Sequence, residues 1–236
     1  MSKTPHFRLD GRVALITGST RGIGAALAET FTQYGARVLE HDSRVANLAS
    51  PEETDRFLAQ SGPVDILVLN ASVQYYRTVE EVFDEREFLD QINVNLRSSI
   101  QLVQGVLPAM RQRHWGRVLA LGSINQWKQS PRLAVYAATK SALSNLMKNW
   151  ARAYAADGIT FNTLAPGIIA TDRNRVALAD ASAAKKLLAH IPAGRFGTPA
   201  DCTGAALLLC SEAGCYITGA DLPVAGGMDL GVLKSK

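Results

Sequence analysis

The stretch Thr17-Gly18-Ser19-Thr20-Arg21-Gly22-Ile23-Gly24 decides the fold of this chain. A short apolar run at residues 12–16 precedes it, and a helical pattern at residues 23–34 follows it. Glycines between a strand and a helix allow positive φ angles and a close approach of the backbone to a pyrophosphate, whose charge the helix N-terminus stabilises. We therefore predict a dinucleotide-binding turn. A tight turn without a ligand is the alternative, because the GxxxGxG spacing differs from the more common GxGxxG.

Short apolar runs alternate with helical patterns along the chain, as expected for a parallel sheet with helices on both faces. No repeat, linker or low-complexity segment interrupts residues 1–236. We therefore predict a single α/β domain, a Rossmann-like doubly wound parallel sheet in three layers. The predicted strands are 12–16, 36–40, 64–69, 117–121, 159–164 and 220–224, and the predicted helices are 23–34, 51–60, 88–113, 135–156 and 199–210.

The interval between Leu39 and Val64 is short for the fold that we predict. Two βα units normally need about 30 residues each, whereas this interval offers 24 residues and one helical pattern. The sequence therefore predicts an abbreviated second crossover. A segment missing from the sequence is the alternative.

Composition and charge exclude several classes of function. With 47% hydrophobic and 19% charged residues, the chain has the makeup of a globular protein. The formal net charge of +4 comes from scattered basic residues, so we expect no nucleic-acid partner. A polar N-terminus and the lack of a run of about 18 apolar residues argue against a signal peptide and a membrane span, so we expect a cytoplasmic protein. The three cysteines show no CxxC spacing and predict neither disulfides nor a metal site.

Tyr136 and Lys140 form the most informative pair of polar residues. Four residues apart in a predicted helix, they lie on one face, one turn from each other. An ammonium beside a phenol lowers the phenol's pKa from about 10 toward neutrality, as a proton donor at physiological pH requires. Any amphipathic helix can contain YxxxK, so the weight of this motif comes from its companions, Ser123 thirteen residues upstream and the glycine-rich turn.

These motifs occur in the order and approximate spacing of the short-chain dehydrogenase/reductase family, which the chain resembles over nearly its whole length. The resemblance implies an NAD(P)-dependent oxidoreductase with a small-molecule substrate, assembled as a homo-oligomer, either a tetramer or a dimer. The shared motifs are TGxxxGIG at 17–24, Asn70-Ala71-Ser72, Asn95, Ser123, Tyr136 with Lys140, Pro166-Gly167, and the segments 195–199 and 216–219.

The resemblance also implies roles for individual residues. Tyr136 is the general acid/base, Lys140 lowers its pKa and binds the nicotinamide ribose, Ser123 polarises the substrate carbonyl, and Asn95 sustains a proton-relay water. A strand-end cap is the structural alternative for Ser123, and a helix kink is the alternative for Asn95. The implied cofactor site comprises Gly18, Ser19, Arg21, Ile23, Gly24, Asp42, Asn70, Ala71, Tyr136, Lys140, Pro166, Gly167, Ile169 and Thr171.

The sequence departs from the family pattern in three places. Ser72 stands where NNAG has its glycine, and Ala225 stands where VDGG has its acidic residue. Asn47 stands near the position of an aspartate that customarily contacts adenine. Ser72 adds a side chain close to the expected substrate.

The choice of cofactor depends on charges near the end of the second predicted strand. A carboxylate at Asp42 binds ribose hydroxyls and repels a 2′-phosphate, which favours NAD. Arg21 and Arg44 argue for NADP, with ordinary solvent-facing charge as the alternative for both arginines. We expect NAD, with NADP possible.

Residues flanking the catalytic groups supply the expected substrate contacts, chiefly Ser72, Gln74, Gln126 and Trp127. Arg173 and Arg175 follow the Pro166-Gly167 segment on the same side. Amides and hydroxyls suit a sugar, sugar acid or polyol. An NADPH-dependent 3-oxoacyl-thioester reductase is the alternative enzyme. A catalytically silent dinucleotide-binding sensor or scaffold is the alternative outside the enzymes.

Overall fold

A computed structural model describes residues 6–175 and 179–231 of the chain. Six strands form one sheet in the order β2-β1-β3-β4-β5-β6, and all neighbouring pairs are parallel. Each strand lies within two residues of its predicted bounds. The strands are β1 Val13–Ile16, β2 Arg37–Glu40, β3 Ile66–Leu69, β4 Gly116–Leu121, β5 Ile159–Pro166 and β6 Asp221–Val224.

Helices cover both faces of this sheet, so the predicted three-layer, Rossmann-like fold is confirmed. Alternate residues of the central strands face opposite cores. Ile66 and Val68 of β3 pack with α1 and α7, whereas Leu67 and Leu69 pack with α2, α4 and α5. The helices are α1 Gly22–Gln33, α2 Pro51–Ser61, α3 Glu85–Ile92, α4 Ser98–Arg113, α5 Ala134–Tyr154, α6 Ala181–Leu188 and α7 Thr203–Cys210.

The second crossover is abbreviated, as the short interval predicts. The chain passes from β2 to β3 through α2 alone and crosses β1 on the way. The resulting order, 2-1-3-4-5-6, is the flavodoxin-like arrangement rather than the 3-2-1-4-5-6 order of the usual dinucleotide-binding fold. As a result β2 forms an edge of the sheet. The crevice outside the carboxyl ends of β1 and β3 is the topological switch point, where ligands bind in such sheets.

The predicted helix 88–113 is wrong in its start and in its continuity. The helix begins three residues earlier, because the Asp84 carboxylate accepts the backbone N–H of Glu87 at 3.0 Å and caps α3. A π-helical turn, Asn93–Arg97, then separates α3 from α4. The predicted last helix also divides, into a 3-10 turn at Pro199–Cys202 and α7. The sequence prediction missed α6.

Candidate active site

The glycine-rich loop connects β1 to α1 and fits glycine alone at two positions. Gly18 has a φ of +65°, and a Cβ there would lie 3.1 Å from Asn70 Nδ2. A Cβ on Gly24 would lie 2.1 Å from the carbonyl oxygen of Gly18. Arg21 is the N-cap residue of α1, and within the described structure no side chain caps that end. The first backbone N–H groups of α1 are therefore free to bind an anion.

Thr17 and Asn70 fasten this loop to the end of β3. The Thr17 hydroxyl oxygen accepts the backbone N–H groups of Asn70 and Ala71 at 2.9 and 3.0 Å. In return, Asn70 Nδ2 donates to the carbonyl oxygens of Thr17 and Gly18 at 2.8 and 3.0 Å. The Asn70 amide thus holds the backbone of the glycine-rich loop, residues 17–24, which we call the cradle. Its predicted contact with the adenosine ribose remains a prediction.

His41 is a site residue that sequence reasoning missed. It follows β2 directly and is 2% exposed. Its backbone N–H donates to Ser19 Oγ at 2.9 Å, and its carbonyl oxygen accepts the Ser19 N–H at 2.9 Å. The Ser19 side chain is therefore directed toward β2, and its predicted contact with the diphosphate remains a prediction. The only sequence signal for His41 is its position after the second strand.

Asp42 and Arg44, which argue for different cofactors, are bonded to each other. The Asp42 carboxylate accepts the Arg44 backbone N–H at 2.8 Å and Arg44 Nε at 3.0 Å. The Arg44 guanidinium and these hydrogen bonds lower the pKa of Asp42 to about 2. The Arg44 side chain is 85% exposed. The end of β2 thus presents an ion pair to the solvent instead of an isolated carboxylate.

Tyr136 and Lys140 lie on α5, both almost completely buried. Lys140 Nζ donates to the carbonyl oxygen of Leu121 at 2.7 Å and lies 5.7 Å from the centroid of the Tyr136 ring. Burial, together with the positive charge of Arg173, lowers the pKa of Lys140 to about 7. The predicted lowering of the Tyr136 pKa is wrong in its net direction. Burial raises that pKa, although Arg173 and the nearby Ser123 hydroxyl act to lower it.

Ser123 ends the segment that follows β4 and caps a short 3-10 turn, Ile124–Gln126. Its hydroxyl oxygen accepts the Asn125 N–H at 3.2 Å, and its own N–H donates to Gln126 Oε1 at 3.4 Å. Gln126 Nε2 is buried without a partner among the described residues. The Gln126 side chain therefore lies against Ser123, and its predicted role as a substrate contact stays a prediction.

Asn95 lies in the π-helical turn and joins three parts of the site. Its Oδ1 accepts the Val73 N–H at 2.8 Å, and its Nδ2 donates to the Val73 carbonyl at 2.9 Å. The same Nδ2 donates to Thr139 Oγ1 at 3.2 Å. Thr139 lies between Tyr136 and Lys140 along α5. Asn95 thus fixes the segment after β3 against α5, and the helix at this position is interrupted by the π turn, which corresponds to the structural alternative given for Asn95.

The segment that follows β5 contacts the end of β6, Gly197 and the glycine-rich loop. Pro166 ends β5, and the N–H of Gly167 donates to the Val224 carbonyl at 3.0 Å. Ile169 is buried and forms a bridge to Gly197. A Cβ on Gly22 would lie 3.4 Å from Thr171 Cγ2, so Thr171 borders the glycine-rich loop.

Arg173 reaches across the cleft to Ser72, donating to its hydroxyl at 3.0 Å and its carbonyl oxygen at 2.7 Å. Gln74 Nε2 lies 3.2 Å from the Tyr76 hydroxyl, and Trp127 is 38% exposed. The structure therefore gathers the predicted catalytic residues and both cofactor loops around one cleft.

A family profile described as enoyl-(acyl carrier protein) reductase matches residues 45–229. The chain is 37% identical to the 3-oxoacyl-(acyl-carrier-protein) reductase FabG of Escherichia coli K12, over 93% of this chain and 98% of that protein. The chain belongs to the short-chain dehydrogenase/reductase family. The alignment with FabG runs over 241 positions in spite of the 236-residue length, so it includes gaps in this chain.

Two solved short-chain dehydrogenase/reductase structures are similar over nearly their whole length. A gluconate 5-dehydrogenase from Burkholderia cenocepacia J2315, in complex with NADP and tartrate, is 33% identical with a TM-score of 0.89 and covers 97% of this chain and 99% of its own. A 3-oxoacyl (acyl-carrier-protein) reductase from Agrobacterium tumefaciens C58 with NADP bound is 36% identical with a TM-score of 0.86, covering 93% and 95%.

The chain is accordingly an NAD(P)-dependent short-chain dehydrogenase/reductase. Its own residues fit such a cofactor, because Gly18 and Gly24 let the loop between β1 and α1 pack tightly against Asn70, and the start of α1 offers backbone N–H groups to a diphosphate. Within residues 6–175 and 179–231, no group of three or more metal-ligating side chains could hold a metal ion. No helix in the same part of the chain is long and apolar enough to cross a membrane.

Proposed function

We propose that this enzyme interconverts a secondary alcohol and a ketone on a small polar substrate, with Tyr136 as general acid and base. The observation that carries the proposal is the grouping of Tyr136, Lys140, Ser123 and Asn95 beside the cofactor cradle. Asn95 bonds to Thr139 between the two α5 residues, and Lys140 bonds to the strand that leads to Ser123. This set provides a proton donor, an oriented hydroxyl and a buried cation in one cleft.

The chain's own residues handle the proton. When bound, the nicotinamide cofactor supplies or accepts the hydride. In the direction of reduction, Tyr136 donates its phenol proton to the carbonyl oxygen while Ser123 donates a hydrogen bond to the same oxygen. In the direction of oxidation, the Tyr136 phenolate takes the proton from the alcohol. Because burial raises the pKa of Tyr136, the phenol is protonated in the free enzyme and ready for reduction.

We propose that the cofactor lies along the carboxyl ends of β1, β2, β3 and β5. The start of α1 would hold the diphosphate, Asp42 and Ala71 would hold the adenosine ribose, and Lys140 and Thr171 would hold the nicotinamide end. Support comes from the convergence of these loops on the cleft. The remaining cofactor contacts are those expected from the sequence: Gly18, Ser19, Arg21, Ile23, Gly24, Asn70, Tyr136, Pro166, Gly167 and Ile169.

Sugar acids are the first substrate class to test. Two similar solved structures support this choice, the gluconate 5-dehydrogenase from Burkholderia and a protein described as a putative gluconate 5-dehydrogenase from Beutenbergia cavernae. Ser72, Gln74 and Trp127 border the cleft with hydroxyl, amide and indole groups, which suit a hydroxylated molecule. Oxidation of D-gluconate, D-sorbitol and related compounds with NAD⁺ and with NADP⁺ at alkaline pH measures this directly. Failure with every polyol and sugar acid would contradict the substrate class.

A 3-oxoacyl-thioester reductase is the second candidate, favoured by the 37% identity to FabG over 93% of the chain. Reduction of acetoacetyl thioesters with NADPH separates the two candidates. Activity on these thioesters without activity on polyols or sugar acids would select the second candidate.

Replacement of Tyr136 tests the mechanism for either substrate. Tyr136→Phe removes the proton donor, and we expect kcat to fall by about 10²–10⁴-fold with cofactor binding retained. Tyr154→Phe, on the same helix and outside the cleft, is the matched control and keeps the wild-type rate. Unchanged turnover in Tyr136→Phe would contradict the mechanism. If the wild-type protein binds the dinucleotide but turns over none of the polyols, sugar acids or thioesters, the sensor or scaffold is favoured instead.

We also propose a cytoplasmic homo-oligomer, either a tetramer or a dimer. Support comes from the outer side of α3 and α4, where a shallow apolar hollow of about 400 Å³ includes Ile92, Leu96 and Ile100. Contact with a second copy would cover these half-buried side chains. The mass measured by light scattering during size-exclusion chromatography tests this, and a monomeric mass at micromolar concentration would contradict it.

A further inference from the structure

We propose that Arg173 binds a carboxylate of the substrate and thereby makes this enzyme selective for hydroxy acids or keto acids over neutral polyols. This inference rests on the proposed function, and it narrows the substrate class of the same cleft. Arg173 belongs to the short 3-10 turn Asp172–Asn174, which follows β5.

Arg173 spans the cleft between the two segments that border the substrate. Its Nη1 donates to Ser72 Oγ at 3.0 Å, and its Nη2 donates to the Ser72 carbonyl oxygen at 2.7 Å. Ser72 follows β3, whereas Arg173 follows β5, so the guanidinium bridges loops from strands that are not neighbours. Both acceptors are uncharged oxygens on one residue. A guanidinium has five N–H donors, so this contact leaves several of them for a ligand.

The charge of Arg173 has no acidic partner in the described structure. No carboxylate of the described residues lies within 4.0 Å of it, in contrast to Arg44 and Arg195, which pair with Asp42 and Asp201. A cation held only by neutral groups beside a substrate cleft is suited to an anionic ligand, because a planar guanidinium matches a carboxylate with two parallel hydrogen bonds.

Arg173 also acts electrostatically on the catalytic pair. Its positive charge acts to lower the pKa of both Tyr136 and Lys140, although burial raises the pKa of Tyr136 overall. A carboxylate bound to Arg173 would neutralise this charge. A substrate anchored at Arg173 is therefore held close to the phenol that exchanges its proton.

Ser72 gives this chain a means of holding Arg173 that glycine would lack. The Ser72 hydroxyl supplies one of the two contacts, and the side chain would be absent with glycine at this position. We therefore assign Ser72 as the positioning residue for Arg173, with the carboxylate-binding role kept for the arginine.

Paired substrates separate charge recognition from general loss of activity. D-Gluconate and D-sorbitol differ at C1, where one carries a carboxylate and the other a hydroxymethyl group. For Arg173→Met we expect KM for D-gluconate to rise about 10–100-fold while KM for D-sorbitol changes less than about threefold. Loss of the Arg173 charge also acts on Tyr136 and Lys140, so any change in kcat should be shared by both substrates. Arg173→Lys keeps the charge, so we expect its KM for D-gluconate to lie between the values of the wild type and of Arg173→Met. Ser72→Ala raises KM for D-gluconate by a smaller factor. Arg152→Met, an exposed charge removal on α5, is the matched control and leaves both substrates unchanged.

A binding measurement keeps the proposal testable if turnover fails. Titration calorimetry of the cofactor-bound enzyme with D-gluconate and with malonate measures carboxylate binding without catalysis. Carboxylate binding that Arg173→Met abolishes supports the anion site, even if no substrate is turned over and the proposed function is wrong. Turnover of D-sorbitol with no carboxylate binding, or equal rises in KM for D-gluconate and D-sorbitol in Arg173→Met, would overturn the role of Arg173 and leave the proposed function standing.

Discussion

Nδ1 of His41 accepts the backbone N–H of Gly18 at 3.3 Å, so a side chain at the end of β2 holds the first glycine of the cofactor loop. Nε2 of the same ring lies 3.0 Å from the carbonyl oxygen of Ala46, and the ring packs on Phe57 with centroids 5.0 Å apart. A neutral imidazole with its hydrogen on Nε2 satisfies both contacts. The shape of the cradle therefore depends on a residue outside the glycine motif.

Acidification should destabilise the protein through His41. Burial lowers the pKa of His41 below its usual 6.5, so the unfolded chain takes up the proton more readily than the folded one. The stabilisation is complete above about pH 6.5 and is lost as the pH falls below that value. We expect His41→Gln to reduce the free energy of unfolding at pH 7.5 by about 1–3 kcal/mol and to flatten its dependence between pH 7.5 and 5.5. Urea unfolding measures both effects, with exposed His190→Gln as the control. A His41→Gln variant with the wild-type pH dependence would contradict this.

Replacement of Lys140 should stabilise the fold while it abolishes activity. Because burial lowers the pKa of Lys140 to about 7, the folded state binds fewer protons than the unfolded state between pH 7 and 10.5, and stability rises with pH across this window. Lys140→Met removes this dependence and the hydrogen bond to Leu121, which is worth about 1 kcal/mol. We expect a net gain of about 1–3 kcal/mol at pH 7 in urea unfolding, with kcat reduced at least about 10²-fold. Exposed Lys185→Met serves as the control, and a Lys140→Met variant less stable than wild type at both pH 7 and pH 9 would show that the expected gain is wrong.

Two glycine-to-alanine changes, one in the glycine-rich loop and one in α7, should have opposite effects on stability. In Gly24→Ala the new Cβ would lie 2.1 Å from the Gly18 carbonyl oxygen. We therefore expect the free energy of unfolding to fall by about 2–4 kcal/mol and the dinucleotide affinity to weaken by at least about tenfold. Gly204→Ala in α7 meets nothing within 4 Å and should stabilise the protein by about 0.5–1 kcal/mol. Thermal unfolding and fluorescence titration with NADH and NADPH measure both variants. Wild-type affinity in Gly24→Ala would contradict the close packing of the cradle.

The ion pair between Asp42 and Arg44 should set the balance between the two cofactors. Asp42→Ala removes a charge that repels a 2′-phosphate and frees the Arg44 guanidinium, so the ratio of kcat/KM for NADP⁺ to that for NAD⁺ should rise about tenfold. Arg44→Ala should move the same ratio in the opposite direction. Ser43→Ala, between them, is the control. Equal ratios in all three variants would show that the end of β2 does not read the 2′-phosphate.

The candidate catalytic residues could be selected from the sequence because their order and spacing resemble those of the family motifs. This applies to Tyr136, Lys140, Ser123 and Asn95, whose catalytic roles stay predictions. The β-strands were predictable because buried parallel strands are often continuous apolar runs, as in β1 and β3.

Contacts made in three dimensions were not predictable. The π turn around Asn95 depends on its two hydrogen bonds to Val73, which is distant along the chain. Burial at Tyr136, which reverses the expected direction of its pKa, depends on how the whole cleft packs. The contact of Arg173 with Ser72 joins residues 101 positions apart. None of these relations leaves a local pattern of hydrophobic spacing or motif that a single sequence would reveal.

The edge position of β2 has a consequence for local unfolding. This strand has four residues, pairs only with β1, and exposes Arg37 and Glu40 at its ends. Edge strands with few buried contacts open more often than central ones, and amide hydrogen exchange records such openings. Since His41 ties this strand to the cofactor loop, an opening of β2 also disassembles the cradle, and any dinucleotide bound there opposes that opening by mass action. Exchange of the β2 amides should therefore slow on addition of cofactor, which makes this edge strand a direct reporter of occupancy.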